Sequence, residues 1–220
     1  MNSATPQGGY ENGYKSCPCF WGDAPGALIK AFLKERSSCE GLSVLDLGCG
    51  EGKNAIAFAR AGAAVDAVDC SAQGIANGRR AFPHPSINWV VADAEDYLTR
   101  SRVYDIVVMY GLLHCLPSQD AITATIDLAI ERTANGGRHF VVAFDDGPHD
   151  LSAHPGFHPT LLPHNFYLSR YARHHVLRAE SAMIHEVHPN NNIPHFHSIT
   201  RISPRLHRIT RSFRLRAAII

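Results

Sequence analysis

Leu45-Asp46-Leu47-Gly48-Cys49-Gly50-Glu51-Gly52 joins a short apolar run to a helical one. Ser43–Leu47 reads as a buried strand, and GKNAIAFARAG reads as a helix stopped by Gly62, the glycine expected past a helix C-terminus. Three glycines at alternate positions let the backbone turn tightly and lie against a ligand. The helix that follows, starting near Lys53, points the positive end of its dipole at the same place.

The same alternation continues outward from this turn. Ala64–Asp69, Ile87–Ala92, Asp105–Tyr110 and His139–Phe144 read as strands two to five. SAQGIANGRRAF and QDAITATIDLAIERT read as helices, the second ended by Asn135-Gly136-Gly137. Upstream, Asp23 is expected to cap a helix over PGALIKAFLKER, with Leu28, Ile29, Phe32 and Leu33 on one face. Strands alternating with helices, and without polar alternation, imply a parallel sheet covered on both faces. Residues 1 to about 22 read as an irregular arm, and 145–165 as a Pro/His-rich loop. HNFYLSRYA suggests a short helix, and HHVLRAESAMIHEVH and HFHSITRIS suggest two strands joined by PNNNIP.

Composition narrows the function. The chain has 220 residues, 45% of them hydrophobic, enough for one domain with a full core. A net charge of +1 argues against nucleic acid, whose binders carry a basic excess. No stretch approaches the roughly 20 apolar residues of a membrane helix, and the first residues lack the apolar run of a signal peptide. A cytoplasmic protein is therefore expected, with its six cysteines as free thiols. Cys17-Pro-Cys19 supplies only two of the four ligands of a structural zinc. The Arg-rich end, PRLHRITRSFRLRAAII, reads as a solvated basic tail.

The turn itself selects among cofactors. A dinucleotide loop would read G-x-G-x-x-G and seat a pyrophosphate. Here the loop is G-C-G-E-G with Asp46 just before it, and a carboxylate repels a pyrophosphate but suits a cationic amino acid. S-adenosylmethionine (SAM) carries a sulfonium and an ammonium and no phosphate. Asp69 ends the second strand about 20 residues on, where an acid accepts ribose hydroxyls. Ala92-Asp93-Ala94-Glu95 follows the third strand, where an acid reaches an adenine amino group.

VLDLGCGEGKNAIAFARAGAAVDAVDCS resembles motif I and its continuation in class I SAM-dependent methyltransferases. Gly52-Lys53-Asn54 and the helix after it are most similar to the bacterial tellurite-resistance methyltransferase group. The resemblance covers about residues 10 to 203 and is sharpest over 43 to 71. It implies a Rossmann-like α/β fold: a central seven-stranded, mostly parallel sheet with an antiparallel last strand and helices on both faces. It also implies that Asp46, Gly48, Cys49 and Gly50 cradle the methionine part of SAM, helped by Asn54. Asp69 would take the ribose, with Cys70 and Ser71 beside it, and Asp93, Ala94 and Glu95 the adenine. Tyr110 would line the site beneath the sulfonium. The organisation expected is one domain: an arm or lid over 1–24, a SAM-binding core over 43–145, a substrate side over 146–203 and a tail over 204–220.

Methyl transfer needs an acceptor held in line and, for a hydroxyl, a base. His114, after the fourth strand, and Tyr110 are the catalytic candidates. Tyr110-Gly111-Leu112-Leu113 departs from the Asn/Asp-Pro-Pro-Tyr of enzymes that methylate base amines. Tyr10, Tyr14, Phe20 and Trp21 on the arm suit packing over a sulfonium or ordinary packing; Trp21 is placed with the cofactor. The acceptor expected is a small molecule, presented through a chalcogen or hydroxyl, with no nucleic acid or membrane partner, to a monomer or homodimer. Histidines crowd the last third, and His195 and His197 share one face of their strand, near Glu186 or His188. No tight ligand spacing accompanies them, so they read as polar surface and loop residues and no metal is expected. Two rivals stand beside this reading: an NAD(P)-dependent oxidoreductase, and a non-catalytic SAM- or metal-binding protein built on the histidines.

Overall fold

A computed structural model describes residues 10–36, 38–188 and 192–207. The basic tail beyond 207 and part of the PNNNIP connection lie outside the described residues. The chain runs α1 (Tyr10–Ser16), α2 (Ala27–Glu35), β1 (Ser43–Leu47), α3 (Lys53–Arg60), β2 (Ala64–Asp69), α4 (Ala72–Ala81), β3 (Ile87–Val91), α5 (Ala94–Arg100) and β4 (Tyr104–Tyr110). It continues through α6 (Gln119–Glu131), β5 (Thr133–His149), α7 (His164–Arg170), β6 (His175–Glu186) and β7 (His195–Arg205).

One seven-stranded sheet has the order β3-β2-β1-β4-β5-β7-β6. Strands β1 to β5 pair in parallel, and β7 pairs antiparallel with both β5 and β6. The order reverses beside β1, so the carboxyl ends of β1 and β4 open a crevice there, the place where such sheets bind ligands. Two cores flank the sheet. One gathers Ile29, Phe32, Phe58 and Phe140 under α2 and α3; the other gathers Leu45, Leu98, Met109 and Ile126 under α5 and α6. The expected fold class is the one observed. No helix among the described residues is long and apolar enough to cross a membrane.

Four local expectations are corrected. Within the arm, Tyr10–Ser16 forms a helix packed on α4 where irregular chain was expected. Asp23 does not cap α2; the helix begins after Gly26, without a side-chain cap. Tertiary contacts set that start: the Asn54 Oδ1 accepts the Gly26 N–H at 2.9 Å, and the Tyr110 ring lies where a Cβ on residue 26 would stand. Asn135-Gly136-Gly137 does not end α6. That helix stops at Glu131, and β5 starts at Thr133, carrying the glycines as a register shift against β4. A left-handed Gly136, with φ 81°, accommodates it. Helix α5 was also not anticipated; Asp93 caps it, its Oδ1 accepting the N–H groups of Glu95 and Asp96.

Candidate active site

The glycine turn follows from its backbone. Gly48, Gly50 and Gly52 have φ of 70°, 55° and 80°, left-handed values that disfavour any side chain. The space around them is filled by protein as well. A Cβ on residue 50 would stand 2.6 Å from the Tyr14 Oη, and one on residue 48 would stand 2.9 Å from Leu112. The glycines therefore admit the arm and the β4 loop, where a ligand alone was expected to need the room.

Asp69 locks this turn. Its Oδ2 accepts the Gly50 N–H and its Oδ1 the Ser71 N–H, both at 2.8 Å. Burial pushes its carboxyl above the usual range, against the pull of those two bonds. Ser71 in turn caps α4, its Oγ accepting the Gly74 N–H at 2.9 Å, and also bonds Glu11 of the arm.

A cavity of about 440 Å³ opens at these strand ends. Gly48, Cys49, Gly50, Asn54, Asp69, Cys70, Ser71, Asp93, Ala94, Tyr110, His114 and Trp21 all line it, as the sequence placed them. Two expected residues do not. Asp46 lies buried beneath the turn, with its Oδ2 unpartnered, because β1 carries it into the sheet. Glu95 is exposed on the first turn of α5, because the helix capped by Asp93 rotates it outward.

The arm walls one side of the cavity. Tyr10, Tyr14, Trp21 and Gly22 line it, and the Trp21 indole N–H donates to the Tyr14 Oη at 3.2 Å. Glu51, which the sequence reading passed over, holds the arm in place. Its carboxylate accepts the backbone N–H groups of Cys19 and Phe20 at 3.0 and 2.5 Å, and the Asn77 amide at 2.8 Å. Lys53 adds a bond from its Nζ to the Trp21 carbonyl at 2.9 Å. A charged residue inside a glycine turn is a visible signal; its partners, 26 to 32 residues away, are not.

His114 is buried, stacked on Phe144 at 4.0 Å between ring centroids. Its Nδ1 accepts the Phe144 N–H at 3.1 Å, so the neutral ring carries its proton on Nε2. Burial, then the neighbouring histidines His197, His149 and His154, pull its pKa down to about 3. Tyr110 is pushed above the ordinary phenol range by burial, and its hydroxyl meets the Ala27 backbone N–H. Cys17 and Cys19 are free thiols on the arm.

The histidines depart most from expectation. His154, His188, His195 and His197 are buried, between 0 and 7% exposed, and their rings converge beyond Trp21. They are not the surface residues the sequence suggested: β7 supplies His195 and His197, and the loops after β5 and β6 fold His154 and His188 against them.

The sheet order and the antiparallel β7 are those of a Rossmann-like fold that this chain shares with solved methyltransferase structures. Residues 44–137 match the family described as a methyltransferase domain. A curated relative, the cypemycin N-terminal methyltransferase of a Streptomyces species, is 36% identical over 86 residues. That match takes in 39% of this chain, which spans about a third of the relative's length (35%). Among solved structures, TehB from Haemophilus influenzae is similar with a TM-score of 0.67 at 20% identity, over 82% of this chain and 62% of TehB. The N-methyltransferase NodS from Bradyrhizobium japonicum WM9, in complex with S-adenosyl-L-homocysteine, is similar with a TM-score of 0.55 at 12% identity. That likeness covers 80% of this chain and 84% of NodS.

Proposed function

We propose that the chain binds SAM in the 440 Å³ cavity and transfers its methyl group to a small-molecule nucleophile, a chalcogen or a hydroxyl. One observation carries this: the glycine turn, Asp69 and Asp93–Ala94, at the ends of three successive strands, line one cavity roofed by aromatic rings. Its size falls within the roughly 300–1,000 Å³ of small-ligand sites.

The residues fit the cofactor chemically. Gly48, Cys49 and Gly50 would hold the amino-acid end. Asp69 keeps lone pairs for ribose hydroxyls beyond the two it gives to the backbone. Asp93 and Ala94 would border the adenine. The rings of Tyr10, Tyr14 and Trp21 suit a sulfonium neighbour, which aromatic faces attract. When bound, SAM supplies an activated methyl group on a built-in leaving group.

The protein's own contribution is orientation and exclusion of water. The arm, tied by Glu51 and Lys53, would shield the bound methyl donor and its acceptor from solvent. Positioning of that kind supplies on the order of 7–11 kcal/mol in favourable cases. His114, with Nδ1 committed to Phe144, faces its task as a hydrogen-bond donor through Nε2, and we assign it acceptor orientation in place of proton removal. Thiols and selenols suit such a site, since they ionise near neutral pH without a strong base.

Calorimetry of SAM binding to the wild type and to Asp69→Ala tests the cofactor. The expected result is saturable binding to the wild type, weakened at least about tenfold in the variant, a loss of about 1.4 kcal/mol. S-adenosylhomocysteine release is then followed with thiols, selenite, small phenols and a primary amine. No SAM binding by the folded wild type rejects the proposal. Turnover of the amine alone moves the acceptor class towards that in the curated relative's name.

A further inference from the structure

Behind the Trp21 ring, three imidazoles point at a common centre. The Nε2 atoms of His154, His188 and His195 stand 3.3, 3.3 and 3.1 Å from one another. Two nitrogens each about 2.05 Å from a tetrahedral zinc stand about 3.3 Å apart, so this triangle has the dimensions of one face of a zinc site. Three such residues, all buried, share it.

Hydrogen bonding leaves the lone pairs aimed inward. The Ile193 carbonyl can only accept, so the His195 Nδ1, 2.8 Å away, carries the ring's proton and leaves Nε2 bare. A backbone carbonyl behind the far nitrogen is the partner that orients metal-ligating histidines. A second relay runs alongside. The His149 Nε2 donates to the Asp145 carbonyl at 2.8 Å, and the His149 Nδ1 then accepts from the His197 Nδ1 at 3.3 Å. That leaves the His197 Nε2 buried, without a partner and 3.6 Å from the Glu186 Oε1. The same Oε1 stands 3.8 Å from the Nε2 atoms of His188 and His195.

Protons alone satisfy this cluster poorly. The bare His195 Nε2 can accept from one neighbour, but three mutually close ring nitrogens cannot all be paired with the single proton each neutral ring carries. A cation at the centre engages every lone pair at once. Neutral imidazole nitrogen suits zinc, copper, iron and nickel, and it does not suit magnesium or calcium, which take oxygen. Aromatic rings wall the site: Trp21 stacks on His154 with centroids 5.9 Å apart and meets His188 edge-on at 4.7 Å.

We propose that His154, His188 and His195 bind one divalent transition-metal ion, zinc fitting best, with its fourth position open to water or to the Glu186 carboxylate, which stands 3.8 Å from His188 and His195. Glu186 also lines the 440 Å³ cavity, so the ion site borders it. The ion site stands whether or not the chain transfers methyl groups.

The test uses the full chain, stripped with a chelator and titrated with Zn²⁺ by calorimetry and with Co²⁺ by visible absorption. The expected result is one equivalent of Zn²⁺ bound at micromolar or tighter affinity, and Co²⁺ d–d bands of a four-coordinate site. His195→Gln and the double variant His154→Ala/His188→Ala should lose affinity at least about a hundredfold. His174→Ala, outside the cluster, should keep it. Absence of saturable binding by the wild type overturns the proposal without recourse to any variant. Equal affinity in folded His195→Gln overturns it too. SAM binding measured on the same stripped protein reads the methyltransferase proposal separately.

Discussion

Burial sets Asp46 apart from the other acids of the crevice. β1 carries it beneath the glycine turn, 1% exposed, with its Oδ2 unpartnered. Burial chiefly, and to a lesser degree the charge of Asp69, raise its pKa from 3.8 to about 7, although a backbone bond from Ala55 opposes the shift. An acid whose folded pKa lies above its unfolded one binds its proton more tightly when folded. Its effect is therefore most favourable below pH 4 and is lost as pH rises towards 7. Asp46→Asn removes the ionisation. The ligand-free variant should melt on the order of 5 °C above the wild type at pH 8, with the gap shrinking towards pH 5. Scanning calorimetry at the two pH values measures this; an equal or lower melting temperature at pH 8 would show that the carboxylate is compensated in place. The position of Asp46 was legible in the sequence, whereas its depth beneath the turn was not, since a strand's period gives the face and the rest of the sheet gives the burial.

At the scale of elements, the arm and the glycine turn work as a pair. α1 and the loop after it bury Tyr14 and Phe20, and Glu51 adds a polar tether through two backbone N–H groups and Asn77. Hydrogen bonds to a buried charged group are worth about 1.5–3 kcal/mol. Glu51→Ala should therefore free the arm while the sheet stays folded. Limited proteolysis would then cut the variant before α2 under conditions that leave the wild type intact, and SAM affinity should fall about tenfold or more. An arm as resistant as the wild type's would assign its order to aromatic packing among Tyr10, Tyr14, Phe20 and Trp21. The aromatic residues of the arm were visible as a lid or a packing patch; they pack on one another, and Tyr10, Tyr14 and Trp21 line the cavity. The helix they sit on was not, because seven residues with glycine and asparagine among them are a poor helix without α4 beneath.

For the whole molecule, the proposed cofactor would bind only the folded state, so its binding and stability are linked. A ligand at one hundred times its dissociation constant adds about 2.7 kcal/mol to the folded state. For a domain of this size that corresponds to roughly 5–10 °C in melting temperature. SAM and S-adenosylhomocysteine should each produce such a shift, and NAD none; a shift with NAD alone would reinstate the dinucleotide reading. The sheet order places the cavity between the two halves of the chain, with β1–β3 on one side and β5–β7 on the other. Residues from both halves and from the arm must therefore be folded together before the cavity exists.

The amino-acid sequence by itself determined the sheet and one wall of the cavity. Alternating strands and helices, a turn that requires left-handed glycines, and acids at the ends of β2 and β3 are local properties, written within a few residues of where they act. Tertiary structure alone decided what stands opposite that wall. Glu51 finds the arm 31 residues away, and His154 meets His188 and His195 across 34 and 41 residues. Two antiparallel strands and a loop fold those histidines inward, and no spacing along the chain encodes the point at which their nitrogens meet. A backbone conformation is chosen by neighbours in sequence, whereas a cluster is chosen by the packing that brings distant segments to one place.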